Sequence, residues 1–189
     1  MDSQSRAGMK HRILRINISL FVTLFGLIAG IGVQANDRIE LAGNVLVFAL
    51  PIAAAGLTLG FKDWQGTLEF GESAALAMGT TFALKYTIDK TRPNGNNHSF
   101  PSGHATITFS SAEFMRKRYG WEYGLPAYVL ATFVAYSRVE AGQHYTMDVV
   151  GGAAIGIVSS YLITHPYKGW TIQPEAGYSY YGIRLNHSW

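Results

Sequence analysis

Along this chain the charged residues gather in short intervals, and the stretches between them are apolar. Leu41 to Phe61 (LAGNVLVFALPIAAAGLTLGF) carries no charge and is long enough to cross a bilayer as a helix. Gly71 to Tyr86 is a second apolar stretch, rich in Ala and Leu. Glu69 and Glu72 sit near its start, where carboxylates suit the positive end of a helix dipole. His104 to Tyr119 predicts a third, more polar helix that ends on Arg116, Lys117 and Arg118. Pro126 to Tyr136 predicts a fourth, with proline in its first turn, where the missing N–H costs nothing. Val149 to Thr164 predicts a fifth, glycine-rich and uncharged. Lys62-Asp63, the loop from Pro93 to Gly103, Gly120 to Gly124, and Gly142 separate them. The fold class expected is therefore all-α: a bundle of about five helices, membrane-embedded, behind an N-terminal hydrophobic leader.

Composition agrees with that pattern. Charged residues make up 14% and hydrophobic ones 48%, against about 25% charged in ordinary soluble domains. Cysteine is absent, which excludes disulfides, thiolate chemistry and Cys-type zinc sites. The net charge of +3 comes from the N-terminus. There Arg6, Lys10, Arg12 and Arg15 precede an apolar run from Ile16 to Val33, followed by Val-Gln-Ala at 33–35. This reads as a signal peptide cleaved after Ala35 or, alternatively, as an uncleaved anchor. Setting residues 1–35 aside leaves eleven basic and eleven acidic residues, so nucleic-acid binding has no electrostatic support. The expected organisation is a leader or anchor over 1–35, a bundle over 36–165 and an aromatic tail over 166–189.

The basic run 116–118 falls between the third and fourth predicted helices, and the positive-inside rule places that turn in the cytoplasm. His104 and Arg138, at the other ends of those helices, then face the periplasm. The third and fourth helices are short for spans and Glu113 lies inside the third, so a soluble periplasmic bundle stays open as an alternative.

Three clusters carry candidate chemistry. The first is Lys85-YTIDKT-Arg92-Pro93, at the end of the second helix; the second is Phe100-Pro101-Ser102-Gly103-His104, entering the third. The last is Ser137-Arg138-VEAGQ-His144-YTM-Asp148, between the fourth and fifth. In an up-down bundle all three fall at one end. Lys85, Arg92 and Arg138 suit a phosphate, with arginine forks matching its oxygens. Ser102 and Gly103 precede a helix start, whose free N–H groups favour the same anion. His144 and Asp148 are spaced i, i+4 and share a face if the fifth helix begins near Gln143. Asp148 would then take the Nδ1 proton of His144 and leave Nε2 free to attack phosphorus. His104 would protonate the leaving oxygen and later activate water. No metal or other cofactor is needed, since the cations supply the charge. Taken singly, each cluster has an ordinary explanation as a helix-start turn, a cap or a snorkelling lysine; together, in order and spacing, they do not.

The clusters read K-x6-R-P, P-S-G-H and S-R-x5-H-x3-D. In this the chain resembles the type 2 phosphatidic acid phosphatase superfamily, which also holds bacterial class A acid phosphatases and vanadium haloperoxidases. The resemblance extends from Lys85 to Asp148, with no motif position missing. It implies a phosphohistidine on His144 supported by Asp148, His104 as acid/base, and a phosphate pocket of Lys85, Arg92, Ser102, Gly103 and Arg138. It also implies a phosphorylated membrane lipid or a small phosphoester as the substrate partner, with no protein partner expected. The site of action implied is the periplasmic face of a bacterial inner membrane. A haloperoxidase, with vanadate on His144, fits less well because those chains are much longer.

Other residues have structural readings. His98 lies in the NGNNHSF loop as a minor candidate for substrate contact, and Glu113 is read as part of a polar helix face. His11, His165 and His187 lack partner patterns. In the tail, Tyr181, Ile183, Leu185, His187 and Trp189 alternate like a strand, read as a short hairpin or loose tail rather than an interfacial segment.

Overall fold

The structure, a computed structural model, describes residues 35–167, 169–177 and 180–188. Apart from Ala35, the leader or anchor lies outside the described residues, as does Trp189. Five helices run up and down: α1 (Ala35–Gly60), α2 (Trp64–Thr87), α3 (Gly103–Tyr119), α4 (Trp121–Glu140) and α5 (Thr146–Ile163). The expected five-helix bundle is present. An antiparallel hairpin follows, β1 (Gly169–Gly177) and β2 (Tyr180–Ser188), so the tail is a hairpin added to a helical fold.

Several boundaries differ from expectation for local reasons. α2 starts at Trp64, not Gly71, because the Asp63 carboxylate caps it by accepting from the Gly66 N–H at 2.9 Å. α4 starts at Trp121 because Gly120, with φ 101°, ends α3 and redirects the chain within one residue. Pro126 consequently lies in the second turn of α4 rather than the first. α5 begins at Thr146, leaving His144 outside the helix.

The bundle is built around α3, which touches all four other helices. It is the most polar of them, yet most of its length is buried. Three of its hydroxyls bond back to the preceding turn: Thr106 donates to the Ser102 carbonyl at 3.0 Å, Thr108 to His104 at 2.8 Å and Ser111 to Ile107 at 2.8 Å. α5 lies directly on the first turns of α3. A Cβ added at Gly152 or Gly156 would overlap the carbonyl oxygens of Ser102 and Thr106, so the i, i+4 glycines form the groove that admits α3.

The outward faces are apolar. Phe48 and Ile52 on α1, Leu68 and Phe82 on α2, Leu125 and Val129 on α4, and Val150, Val158 and Leu162 on α5 are all exposed. Asp37–Gly60 and Thr146–Ile163 are long and apolar enough to span a membrane. A polar helix inside and large apolar side chains outside suit lipid as the solvent, because soluble monomers rarely expose such contiguous apolar surface. The shortness of α3 as a span carries little weight once it is enclosed by other helices. Glu113 is likewise no exposed polar face. It is 2% exposed and accepts from Arg116 Nε at 2.6 Å and Tyr128 Oη at 2.6 Å.

The end of the bundle where α1 meets α2 and α3 meets α4 is closed by an ionic lock. Arg118 donates to Asp63 at 2.6 and 2.7 Å, to Glu69 at 3.0 Å and to the His165 carbonyl at 2.8 Å. Tyr119 adds a bond to Asp63 at 2.8 Å, and its ring stacks on Phe61 at 5.1 Å. His165 is structural, as read: its backbone N–H and ring both reach Glu69.

Candidate active site

The opposite end of the bundle gathers the three clusters. Lys85 is in the last turn of α2, Ser102 caps α3, His104 is in the first turn of α3, and Arg138 is in the last turn of α4. Asp148 is in the first turn of α5. The turn after α4 folds back so that the N–H groups of Gln143 and His144 both donate to the Arg138 carbonyl, at 3.0 and 3.2 Å. The Ser102 N–H donates to the Asp148 carbonyl at 2.9 Å, tying the α3 start to α5. Gly103 is the first residue of α3, where backbone N–H groups lack intrahelical partners. His104 feels the charges of Arg138, Arg92 and Lys85, and His144 those of Arg92, Lys85 and Asp148. All eight predicted site residues thus meet in one neighbourhood.

The pairing of His144 with Asp148 differs from the expected helical face. Because His144 precedes α5, its Nδ1 lies 3.8 Å from Asp148 Oδ2, beyond hydrogen-bond length, and has no partner. Asp148 is fully buried and spends its oxygens elsewhere. Oδ1 accepts from Lys90 Nζ at 2.6 Å; Oδ2 accepts from Ser99 Oγ at 2.5 Å and from the Tyr145 N–H at 2.9 Å. Burial, and then the Arg92 and Lys85 charges, push His144 down to about 4, against the pull of Asp148 and the Ser99 backbone. The imidazole is therefore neutral at neutral pH.

The cations are held by parts of the chain that no motif marks. Arg138 is 3% exposed and donates to Asn44 at 2.8 Å and the Glu40 carbonyl at 3.0 Å on α1, and to Ser137 Oγ at 3.2 Å. That occupies three of its N–H groups and leaves the remainder of the fork for a ligand. Lys85 donates to the His98 carbonyl at 2.8 Å while His98 Nδ1 meets the Lys85 carbonyl at 2.9 Å, so His98 anchors the loop to α2. Among the described residues the Arg92 side chain makes only a 3.5 Å contact to Gln143, and its buried Nε has no partner there. Two buried polar atoms, Arg92 Nε and His144 Nδ1, are left open in the same cluster.

Sequence reasoning missed Lys90, Ser99, Gln143, Glu40 and Asn44. Lys90 and Ser99 lie within or beside the motifs at positions the patterns K-x6-R-P and P-S-G-H leave open. Asn44 reaches Arg138 across 94 positions, a pairing no spacing rule could expose.

Comparison with known proteins follows this geometry. The model of the PAP2 superfamily matches residues 94–171, which takes in the second and third clusters and not Lys85 or Arg92. The chain is 34% identical over 170 residues to a lipid A 4'-phosphatase of Helicobacter pylori, covering 80% of this chain and 85% of that one. It is 30% identical over 142 residues to phosphatidylglycerophosphatase B of Bacillus subtilis, covering 65% and 68%. The crystal structure of LpxE from Aquifex aeolicus shares the fold, with a TM-score of 0.51 at 20% identity, over 67% of this chain and 92% of that one. With its motifs in place and similarity to such a relative over most of both chains, the chain belongs to the PAP2 superfamily.

Proposed function

We propose that this chain removes a phosphate from a membrane lipid through a phosphohistidine on His144. It is a phosphatase like the relatives above, which are named for lipid A and phosphatidylglycerophosphate. The observation that carries the reading is the open donor Arg92 Nε, buried in a cluster that also holds Lys85, Arg138, His104 and His144. Buried donors are normally satisfied, and an anion with several oxygens is the ligand that completes this set of cations. The apolar outer faces favour a lipid as its carrier.

In the proposed reaction, Lys85, Arg92, Arg138 and the α3 N-terminus hold the phosphate oxygens and spread their charge. His144 Nε2 attacks phosphorus, the bond from phosphorus to the lipid oxygen breaks, and His104 gives that oxygen a proton. His104 then takes a proton from water, which attacks the phosphohistidine; inorganic phosphate leaves and His144 is restored. Asp148 supports His144 once the 3.8 Å contact tightens, as such contacts do when substrate binds.

The test is a substrate panel on the purified, detergent-solubilised chain without added metal: lipid A, phosphatidylglycerophosphate, phosphatidic acid, a polyprenyl pyrophosphate and p-nitrophenyl phosphate. Activity on one or more lipids well above that on the small ester supports the reading, and a preference for the small ester refutes the lipid part of it. The site faces the periplasm in this proposal, since Arg116, Lys117 and Arg118 mark the other end. The chain has no cysteine, so a single Asn97→Cys reports orientation directly. A membrane-impermeant maleimide should label it in cells with a permeable outer membrane, whereas protection until the inner membrane is broken would reverse the orientation.

A further inference from the structure

Asp148 is gripped by a single loop. Lys90 and Ser99 are joined through their backbones, the Ser99 N–H donating to the Lys90 carbonyl at 2.7 Å. Their side chains then take one carboxylate oxygen each, Lys90 at 2.6 Å on Oδ1 and Ser99 at 2.5 Å on Oδ2. The Lys90 ammonium also lies 4.6 Å from the centre of the Tyr145 ring, the residue that follows His144. With the Tyr145 N–H on Oδ2 as well, the carboxylate has no short contact left for His144, whose Nδ1 stands open at 3.8 Å. We propose that Lys90 is a positioning residue that holds the Asp148 carboxylate off the His144 imidazole and so sets how strongly Asp148 acts on it.

The proposal rests on His144 being the nucleophile. A lysine and an aspartate at 2.6 Å largely cancel each other's field at a third group nearby. Without Lys90, Asp148 acts on the imidazole with its full charge, and Oδ1 is free to swing toward it. His144 then keeps its proton to higher pH, since an opposite charge favours the charged form. The other groups around His144 stay in place: Lys85 on α2, Arg92 on the loop, His104 on α3, and Arg138 on α4 with Glu40 of α1 behind it. A change in His144 titration on replacing Lys90 thus isolates the contact through Asp148.

The experiment is an NMR titration of the full chain in detergent, with ring-labelled histidine and the His144 signal identified by its loss in His144→Gln. Lys90→Met, or Lys90→Gln if the first fails to fold, is expected to raise the His144 midpoint by about one pH unit. Lys90→Arg, which keeps the charge, should leave it near the wild-type value. In an Asp148→Asn background, Lys90→Met should add no further shift. An unmoved midpoint in both neutral variants overturns the proposal, as does an equal shift in Lys90→Arg or an undiminished shift without Asp148. If the wild-type chain hydrolyses no phosphate ester, the functional reading falls, while the titration still decides the role of Lys90.

Discussion

At one end of the bundle Arg118 meets Asp63 and Glu69, Arg116 meets Glu113, and Tyr119 and Tyr128 fill the remaining carboxylate sites. At the other end Lys85, Arg92 and Arg138 lie close to two histidines, and their hydrogen bonds go mostly to carbonyls, amides and a hydroxyl rather than to carboxylates. Both ends bury cations, but at the open end the carboxylate of Asp148 is bonded to Lys90, while Lys85, Arg92 and Arg138 bond to neutral groups. Packing follows the same division. Phe61, Phe114, Tyr119 and Tyr123 fill the closed end with stacked and edge-on rings, while Gly152, Thr106 and Ser102 bring backbones together at the open end. A charge with its partner built in contributes to the fold; a charge without one is available to a ligand.

Substitutions at the two ends should therefore separate activity from stability. His144→Ala should cost about a thousandfold or more in kcat while thermal unfolding stays near wild type, measured by turnover and by melting in the same detergent. Arg118→Met should do the reverse. Leaving Asp63 and Glu69 buried without their cation costs about 3–5 kcal/mol, read as a large drop in melting temperature, while the folded fraction keeps its turnover. If Arg118→Met instead lowered kcat without changing stability, the division between the ends would be wrong. Gly152→Ala sits between them, because its new methyl strikes the Ser102 carbonyl beside the pocket. It should lose about 1–3 kcal/mol together with part of the activity.

Acid should divide the ends in the same way. His144 is neutral above about 4 and charged below it, so kcat/KM should fall as pH drops through that value. At the closed end, burial alone would raise the Asp63 carboxyl, but Arg118, the Gly66 N–H and Tyr119 outweigh it and hold it below its ordinary value. The stability this supplies is complete above the unfolded-state value near 3.8 and is lost as pH falls through the lower folded one. Asp63→Asn should flatten acid unfolding in that range, the smallest effect of the series.

The open end was the more legible of the two in sequence. Its chemistry uses fixed spacings, K-x6-R-P, P-S-G-H and S-R-x5-H-x3-D, and the apolar runs ordered the helices so that these had to meet. The closed end was less legible. The partners of Arg118 and Glu113 could not be read from spacing, because Asp63 caps α2, Glu69 lies on α2 and Tyr128 on α4; Glu113, read as a polar face, is buried among them. Within the site, the expected pairing of His144 with Asp148 assumed a helix beginning near Gln143. The chain instead starts α5 at Thr146, with the Asp148 carboxylate bonded to the Tyr145 N–H. A capping carboxylate and a catalytic one look alike in sequence, and the proposed mechanism asks one residue to do both.

The central claim is that the open end carries its reaction through His144. Brief turnover of a lipid substrate labelled on its phosphate, stopped in alkaline denaturant and mapped by mass spectrometry, tests it most directly. The account predicts label on the peptide bearing His144, absent in His144→Ala. Label on another residue, or full turnover in His144→Ala with no labelled protein, would contradict it.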